Sequence, residues 1–145
     1  MTTVAYHSKE RMMAADSSAI DRGTHVVTAT KMWRAGGGLI GMAGTILHFE
    51  PFVRWIMNTD GDDTDAYPRG DFDAIVVSPA GRISLYEGGG PDPIVWRGAP
   101  YVAIGSGGPL ALVAMDAGAD VRKAVRLAVA RDTNSKPPVR VMRLK

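Results

Sequence analysis

The chain has no cysteine among its 145 residues. Disulfides, thiolate catalysis and cysteine-ligated metals are therefore excluded. No apolar run approaches the ~18 residues that a membrane span needs, and no basic stretch followed by an apolar core marks a signal peptide. A cytoplasmic protein with no membrane partner is the expectation. Net charge is small, +2, and too weak to argue for nucleic acid by itself. Aromatics are scarce and do not interleave the basic C-terminal third as base stacking would require, so no nucleic-acid partner is expected. The Gly105-Ser106-Gly107-Gly108 turn lacks the lysine of a phosphate-binding loop. No G-x-S-x-G elbow is present, and His7, His25 and His48 are the only histidines, so a Ser–His relay has no obvious seat. The aspartates at 60–65 lack the glycine and glutamate of a calcium loop, and a solvated loop is the plainer reading. No metal and no cofactor are expected.

What is present suits a one-domain chain, residues 1–145, with 46% hydrophobic residues and enough length to bury a core. Thr2–His7 and Arg11–Asp16 read as a hairpin around Lys9-Glu10. His25–Arg34, rich in Val and Thr, reads as one long strand, and Leu39–Gly44 follows after Gly36-Gly37-Gly38. Thr45 is a candidate N-cap for a helix reaching about residue 57, with Pro51 either kinking it or delaying its start. Residues 58–71 form an acidic loop. Phe72–Val77 and Ile83–Tyr86 make a hairpin, and Ile94–Trp96 and Tyr101–Ile104 are short strands. A helix opens at Gly107-Gly108-Pro109 and ends at Gly118. Asp120 caps another over Val121–Arg131, and Val139–Leu144 is a last strand. Strands and helices come in segregated runs, which indicates an α+β fold rather than alternating βαβ units.

Four places break the purely structural pattern. Thr2 at the chain start could act once Met1 is removed, because a free α-amine, with a pKa near ~8, can take the proton of its own hydroxyl. Alternatively it merely begins a strand. Lys31 falls on the apolar-leaning parity of its strand, with Val27, Ala29 and Trp33. It is either an edge lysine snorkelling to water or a functional violation of the pattern. Asp16 closes the apolar run Met12–Ala15; it is a turn residue or the partner that keeps a buried lysine charged. Ser106 sits between a strand and a helix N-terminus, which can orient a side chain.

In order along the chain, Thr2-Thr3-Val4, Ala14-Ala15-Asp16, Lys31-Met32-Trp33-Arg34, Ile40-Gly41-Met42-Ala43-Gly44, Ala103 to Pro109 and Arg131-Asp132-Thr133-Asn134-Ser135 resemble segments of the proteasome β-subunit and HslV peptidase family. The resemblance implies the N-terminal-nucleophile hydrolase fold: a four-layer αββα sandwich of two antiparallel sheets. Here its helix layer is reduced after residue 57, since one helix and an acidic loop stand where the family has two helices. It implies a threonine peptidase or amidohydrolase. Thr2 would be the nucleophile, Lys31 the neighbouring ammonium, Asp16 its holder and the Gly41 amide the oxyanion donor. Ser106, Asp132 and Ser135 would position the amine and its water.

Ala29, Leu39 and Ala43 would form a small apolar substrate wall, favouring cleavage after apolar residues. A peptide or unfolded protein would be the substrate. The expected assembly is a homo-oligomeric ring in which the acidic 60–73 loop meets the basic 122–145 face of a neighbour. The thinner helix layer puts docking of an ATPase unfoldase in question. The family's Gly-Gly after the last serine is Lys136-Pro137-Pro138 here. The alternative reading is a non-catalytic structural or interaction subunit of the same fold.

Overall fold

The β-branched and aromatic start of the chain enters the fold as an interior strand. In the computed structural model, which describes residues 2–26 and 28–145 and only the backbone of Asp21, β1 (Val4–His7) pairs on one side with β2 (Met12–Ala15) and on the other with a strand that arrives a hundred residues later. Met1 and Val27 lie outside the described residues, so both the Met1 reading and the placement of Val27 beside Lys31 do too. The remaining elements are β3 (Ala19–Asp21), β4 (Thr24–Val26), β5 (Met32–Ala35), β6 (Gly38–Gly44), α1 (Phe49–Thr59), β7 (Phe72–Val77), β8 (Ile83–Glu87), β9 (Gly90–Trp96), β10 (Tyr101–Ile104), α2 (Gly108–Asp116), α3 (Val121–Arg131) and β11 (Arg140–Arg143). The first sheet has the order β10-β1-β2-β11, the second β5-β6-β7-β8-β9, and β3-β4 is a separate hairpin; every pairing is antiparallel.

The apolar side chains sort by strand parity into three clusters. Val4, Tyr6, Met13 and Ala15 of the first sheet join Met32, Leu39, Ile75 and Val77 of the second. The opposite parity of the second sheet, Ile40, Met42, Phe72 and Ala74, packs with Phe49, Phe52, Val53, Trp55 and Ile56 of α1. The opposite parity of the first sheet, Ala5 and Ala14, packs with Ala111 and Met115 of α2 and with Val121, Ala124, Val125 and Ala128 of α3. Each large side chain so buried contributes roughly 1.5–3 kcal/mol. Gly41 lets the sheets approach: a Cβ there would lie 2.6 Å from Met13 Sδ and 2.6 Å from Val4 Cγ1.

Three sequence expectations need correction. The single strand His25–Arg34 is two strands, β4 and β5, separated by residues that leave the regular ladder. There the Ala29 N–H donates to Ser17 O at 3.1 Å and Lys31 O accepts from Met42 N at 2.9 Å. Thr45 does not cap a helix: it precedes a 3₁₀ turn over Ile46–His48 without a side-chain cap bond, and its hydroxyl donates to Asp71 Oδ2 at 3.3 Å instead. The strand expected over Ile94–Trp96 begins at Gly90 and contains Pro91 and Pro93. Proline is tolerated there because β9 is the edge of its sheet, where an N–H can be spared. Pro51 is the third residue of α1, where no intrahelical donor is lost, so it starts the helix rather than kinking it. Among the described residues no helix is long and apolar enough to cross a membrane.

Candidate active site

The end of β2 carries a carboxylate into the interior. Asp16 is 1% exposed, and both of its oxygens are occupied. Oδ1 accepts from Lys31 Nζ at 2.8 Å, Thr3 N at 3.0 Å and Thr2 Oγ1 at 3.1 Å. Oδ2 accepts from Ser18 N and Lys136 N, each at 3.1 Å. A buried ion is tolerable only when it is paired and hydrogen-bonded in this way.

Lys31 follows the irregular stretch that separates β4 from β5 and is 4% exposed. It is therefore not an edge lysine reaching for water. Its ammonium donates to Thr2 Oγ1 as well as to Asp16. Burial lowers its pKa, while the charge and hydrogen bond of Asp16, and the more distant charge of Asp132, act to raise it. The Thr2 hydroxyl thus lies between an ammonium and a carboxylate, a polarised position for a nucleophile.

A second network starts at Asp132, the residue that ends α3. Its Oδ2 accepts from Ser106 Oγ at 2.7 Å and from Ser135 Oγ, and its Oδ1 from Asn134 N at 3.3 Å. Partial burial pushes the Asp132 carboxyl pKa up, but the bonds from Ser135, Ser106 and Asn134 outweigh it and hold the group below its ordinary range. Ser135 Oγ lies 2.8 Å from Thr3 Oγ1. Gly107 makes room for this junction: a Cβ on it would fall 1.8 Å from Thr3 Oγ1 and 3.3 Å from Asp132 Oδ2.

The structure therefore brings Thr2, Asp16 and Lys31 into direct contact and places Ser106, Asp132 and Ser135 in one adjoining network. Gly41 pairs with Met32, the residue after Lys31, and with Ile75 of β7, and it faces Val4 and Met13 in the core between the sheets. The three expected wall residues are all buried. Ala29 lines a cavity with Lys31; Leu39, 1% exposed, belongs to the core shared by the two sheets; and Ala43, 2% exposed, lies near Gly105, whose Cβ position is 3.3 Å from it. Among the described residues no group of His, Asp or Glu is clustered as a metal ion requires.

Sequence reasoning missed Thr3, Ser17 and Ser18, all fully buried. Thr3 is the hinge of the arrangement, with its amide on Asp16 and its hydroxyl on Ser135. Ser17 Oγ donates to Pro138 O at 2.7 Å and ties the Lys136-Pro137-Pro138 segment beside Asp16. The Asp-Ser-Ser string held a readable signal, because an aspartate commonly accepts from the amide two residues on, as Ser18 N donates here.

No protein-family model and no curated protein matches the chain. Solved structures do. HslV from Trypanosoma brucei is similar over 97% of this chain and 98% of its own, at 24% identity and a TM-score of 0.73. Thiobacillus denitrificans BPH is similar over 99% of both chains at 20% identity and a TM-score of 0.69, and the same protein in complex with epoxomicin at 22% identity and 0.66. The resemblance read from the sequence thus holds at the level of the fold: over nearly its whole length, this chain has the α+β fold of HslV and of the bacterial proteasome homologue.

Proposed function

We propose that the chain is a threonine-type peptidase or amidohydrolase of the N-terminal-nucleophile class, one domain over residues 1–145, with Thr2 as nucleophile after removal of Met1. The observation that carries this reading is the buried contact of the Thr2 hydroxyl with both Lys31 and Asp16. The fold supports it, as does the sorting of apolar residues into three clusters, which fits four layers ordered helices, sheet, sheet, helix.

In this mechanism the Thr2 oxygen attacks an amide carbonyl carbon while its proton passes to the Thr2 amine, directly or through water. Lys31 keeps its charge through Asp16 and favours the developing alkoxide. The resemblance assigns the oxyanion to the Gly41 amide, a contribution of ~3–4 kcal/mol where such a donor has been removed in other hydrolases. Met42 N donates across to Lys31 O, however, so the alternating Gly41 N–H faces β7 and is not free for this role. The carbon–nitrogen bond breaks as the departing amine takes the proton from the Thr2 ammonium. Water then hydrolyses the ester on Thr2. Ser106, Asp132 and Ser135 hold the amine and the water, with Ala29, Leu39 and Ala43 retained as substrate-wall candidates. A homo-oligomer acting on peptide or unfolded-protein substrates fits the same reading.

A second reading is a non-catalytic subunit of the same fold, in which the buried Thr2, Asp16 and Lys31 hold the structure together and do no chemistry. Intact-mass measurement separates the two, because only the enzyme requires loss of Met1. The direct test is to treat the processed protein with epoxomicin and locate the adduct by mass spectrometry. An adduct on Thr2, lost in Thr2→Ala and Lys31→Ala together with all peptide turnover while circular dichroism stays unchanged, is the expected result. Full turnover in Lys31→Ala would end this mechanism.

A further inference from the structure

On the flank of the molecule where the outer strands β11 and β5 lie, a cavity of about 420 Å³ opens beside Lys31. Its apolar lining comes from Ala15, Ala29, Met32, Val139, Val141 and Met142. Its polar groups are Thr30, the Asp16–Lys31 pair, Arg122 from the first turn of α3 and Arg140 from β11. The volume is in the range of sites that enclose small molecules, and an apolar lining with a few convergent polar groups is their usual composition.

The charge in this cavity is unbalanced. Asp16 is the lone carboxylate in the lining, and Lys31, Thr2 and the amides of Thr3, Ser18 and Lys136 occupy its oxygens. Arg122 and Arg140 have no carboxylate within ion-pair distance among the described residues. The acids nearest to Arg122 in the sequence and on the packed loop are otherwise engaged: Asp120 accepts from Lys123 N at 2.7 Å, and Glu10 from Val121 N at 3.0 Å. Arg122 also stands where the helix dipole disfavours a cation. Two guanidinium groups beside an apolar hollow suit an anion that brings an apolar body with it, since each planar fork can bind a carboxylate in bidentate fashion while the stem is removed from water.

We propose that this cavity is a binding site for a carboxylate carried on a short apolar stem, held by Arg122 and Arg140 with the stem against Ala15, Met32 and Met142, which share the face of Arg140. The ligand is either a free monocarboxylate or the C-terminal carboxylate of a peptide ending in an apolar residue. The cavity borders the proposed catalytic site, sharing Asp16 and Lys31 with the nucleophile's surroundings and Ala29 with the substrate-wall candidates, but carboxylate binding to it does not depend on turnover.

The test uses the full chain and four probes: hexanoate, hexanol, inorganic phosphate and the dipeptide acetyl-Ala-Leu. Affinity is measured by calorimetry, and the site is located by amide chemical-shift changes. Hexanoate is expected to perturb the amides of residues 29–32 and 139–142. Hexanol, with a stem but no charge, and phosphate, with charge but no stem, are expected to bind at least about tenfold more weakly. Tighter binding of acetyl-Ala-Leu than of hexanoate would assign the site to peptide termini, and the reverse to free acids. Arg122→Ala/Arg140→Ala should weaken the preferred carboxylate by about tenfold or more, with Arg140→Lys between it and the wild type, because lysine keeps the charge and loses the fork. Equal affinity in the double variant, or shifts confined to other residues, would overturn the proposal. So would salt-dependent self-association that Arg122→Ala/Arg140→Ala abolishes, if it came with no binding of either carboxylate; the arginines would then serve the acidic 60–73 loop of a second copy.

Discussion

The two sheets pack against their helices by opposite means. The second sheet is covered by a single helix, α1, and the space is filled by rings: Phe52 lies 5.1 Å from Phe72 and 5.3 Å from Tyr86, and Trp55 meets Tyr67 edge-on at 4.8 Å. The first sheet is covered by two helices, and the contact is built largely from alanine: Ala5 and Ala14 on the strands, Ala111, Ala124 and Ala128 on the helices. Large rings allow one helix and a loop to close a wide surface, with edge-to-face pairs adding ~0.5–1.5 kcal/mol each beyond area burial. Small residues bring two helices close to the strands that carry the site. The alanine face includes α3, which ends at Asp132, whereas the hydrogen bonds made by the rings of the aromatic face, from Trp55 to Asp63 O and from Tyr67 to Glu87 O, reach no site residue.

The largest break in this comparison is expected from Phe52→Ala, which removes the ring at the centre of the aromatic face. It should cost ~3–5 kcal/mol, measured by denaturant unfolding, and reactivity of Thr2 toward epoxomicin should persist wherever the protein remains folded. The complementary variant, Ala128→Leu, overfills the alanine face. It should cost ~1–3 kcal/mol and, unlike Phe52→Ala, should also depress labelling of Thr2, because displacement of α3 carries Asp132 with it. Equal labelling in both variants would show that the two faces do not differ in this way.

The smallest effect is expected from Tyr67→Phe, which removes the hydroxyl donated to Glu87 O at 2.6 Å, a loss of ~1 kcal/mol. It should also flatten the alkaline pH profile of stability. Burial, helped by the neighbouring Tyr86, pushes the Tyr67 phenol up to about 12 from 10.0. An acid whose folded pKa is raised contributes stability that is complete below its unfolded pKa and is lost as pH climbs through the folded value. Wild type should therefore lose stability between about pH 10 and about 12, and Tyr67→Phe should lose measurably less over that window in pH-dependent unfolding.

Much of the fold was legible because its elements obey local rules. Asp120 accepts from Lys123 N as a helix cap should, and Val121, Ala124, Val125 and Ala128 are the buried stripe of α3. The break between β4 and β5 was not legible, since Val and Thr favour strand whether or not a partner strand is present; Lys31 O still accepts from Met42 N in register with β6, but Ala29 N–H turns away to donate to Ser17 O. Pro91 and Pro93 concealed the first half of β9 for the same reason: whether a position lies at a sheet edge is a property of the sheet.

The candidate site divides along the same line. Thr2, Asp16, Lys31 and Ser106 stand out by residue type and pattern, and Gly41, Asp132 and Ser135 could be named only through the resemblance to a known family. That a lysine and a carboxylate are both buried, and meet at 2.8 Å on one hydroxyl, could not. The sequence by itself determined where strands and helices lie and which polar residues stand out of pattern, because propensity, capping and periodicity act over a few residues. Only the tertiary structure decided that Thr3 would bridge two networks by reaching a serine 132 positions away. Contacts of that span depend on the register of β1 against β2 and β10, and on glycines that let chains pass closer than any side chain allows.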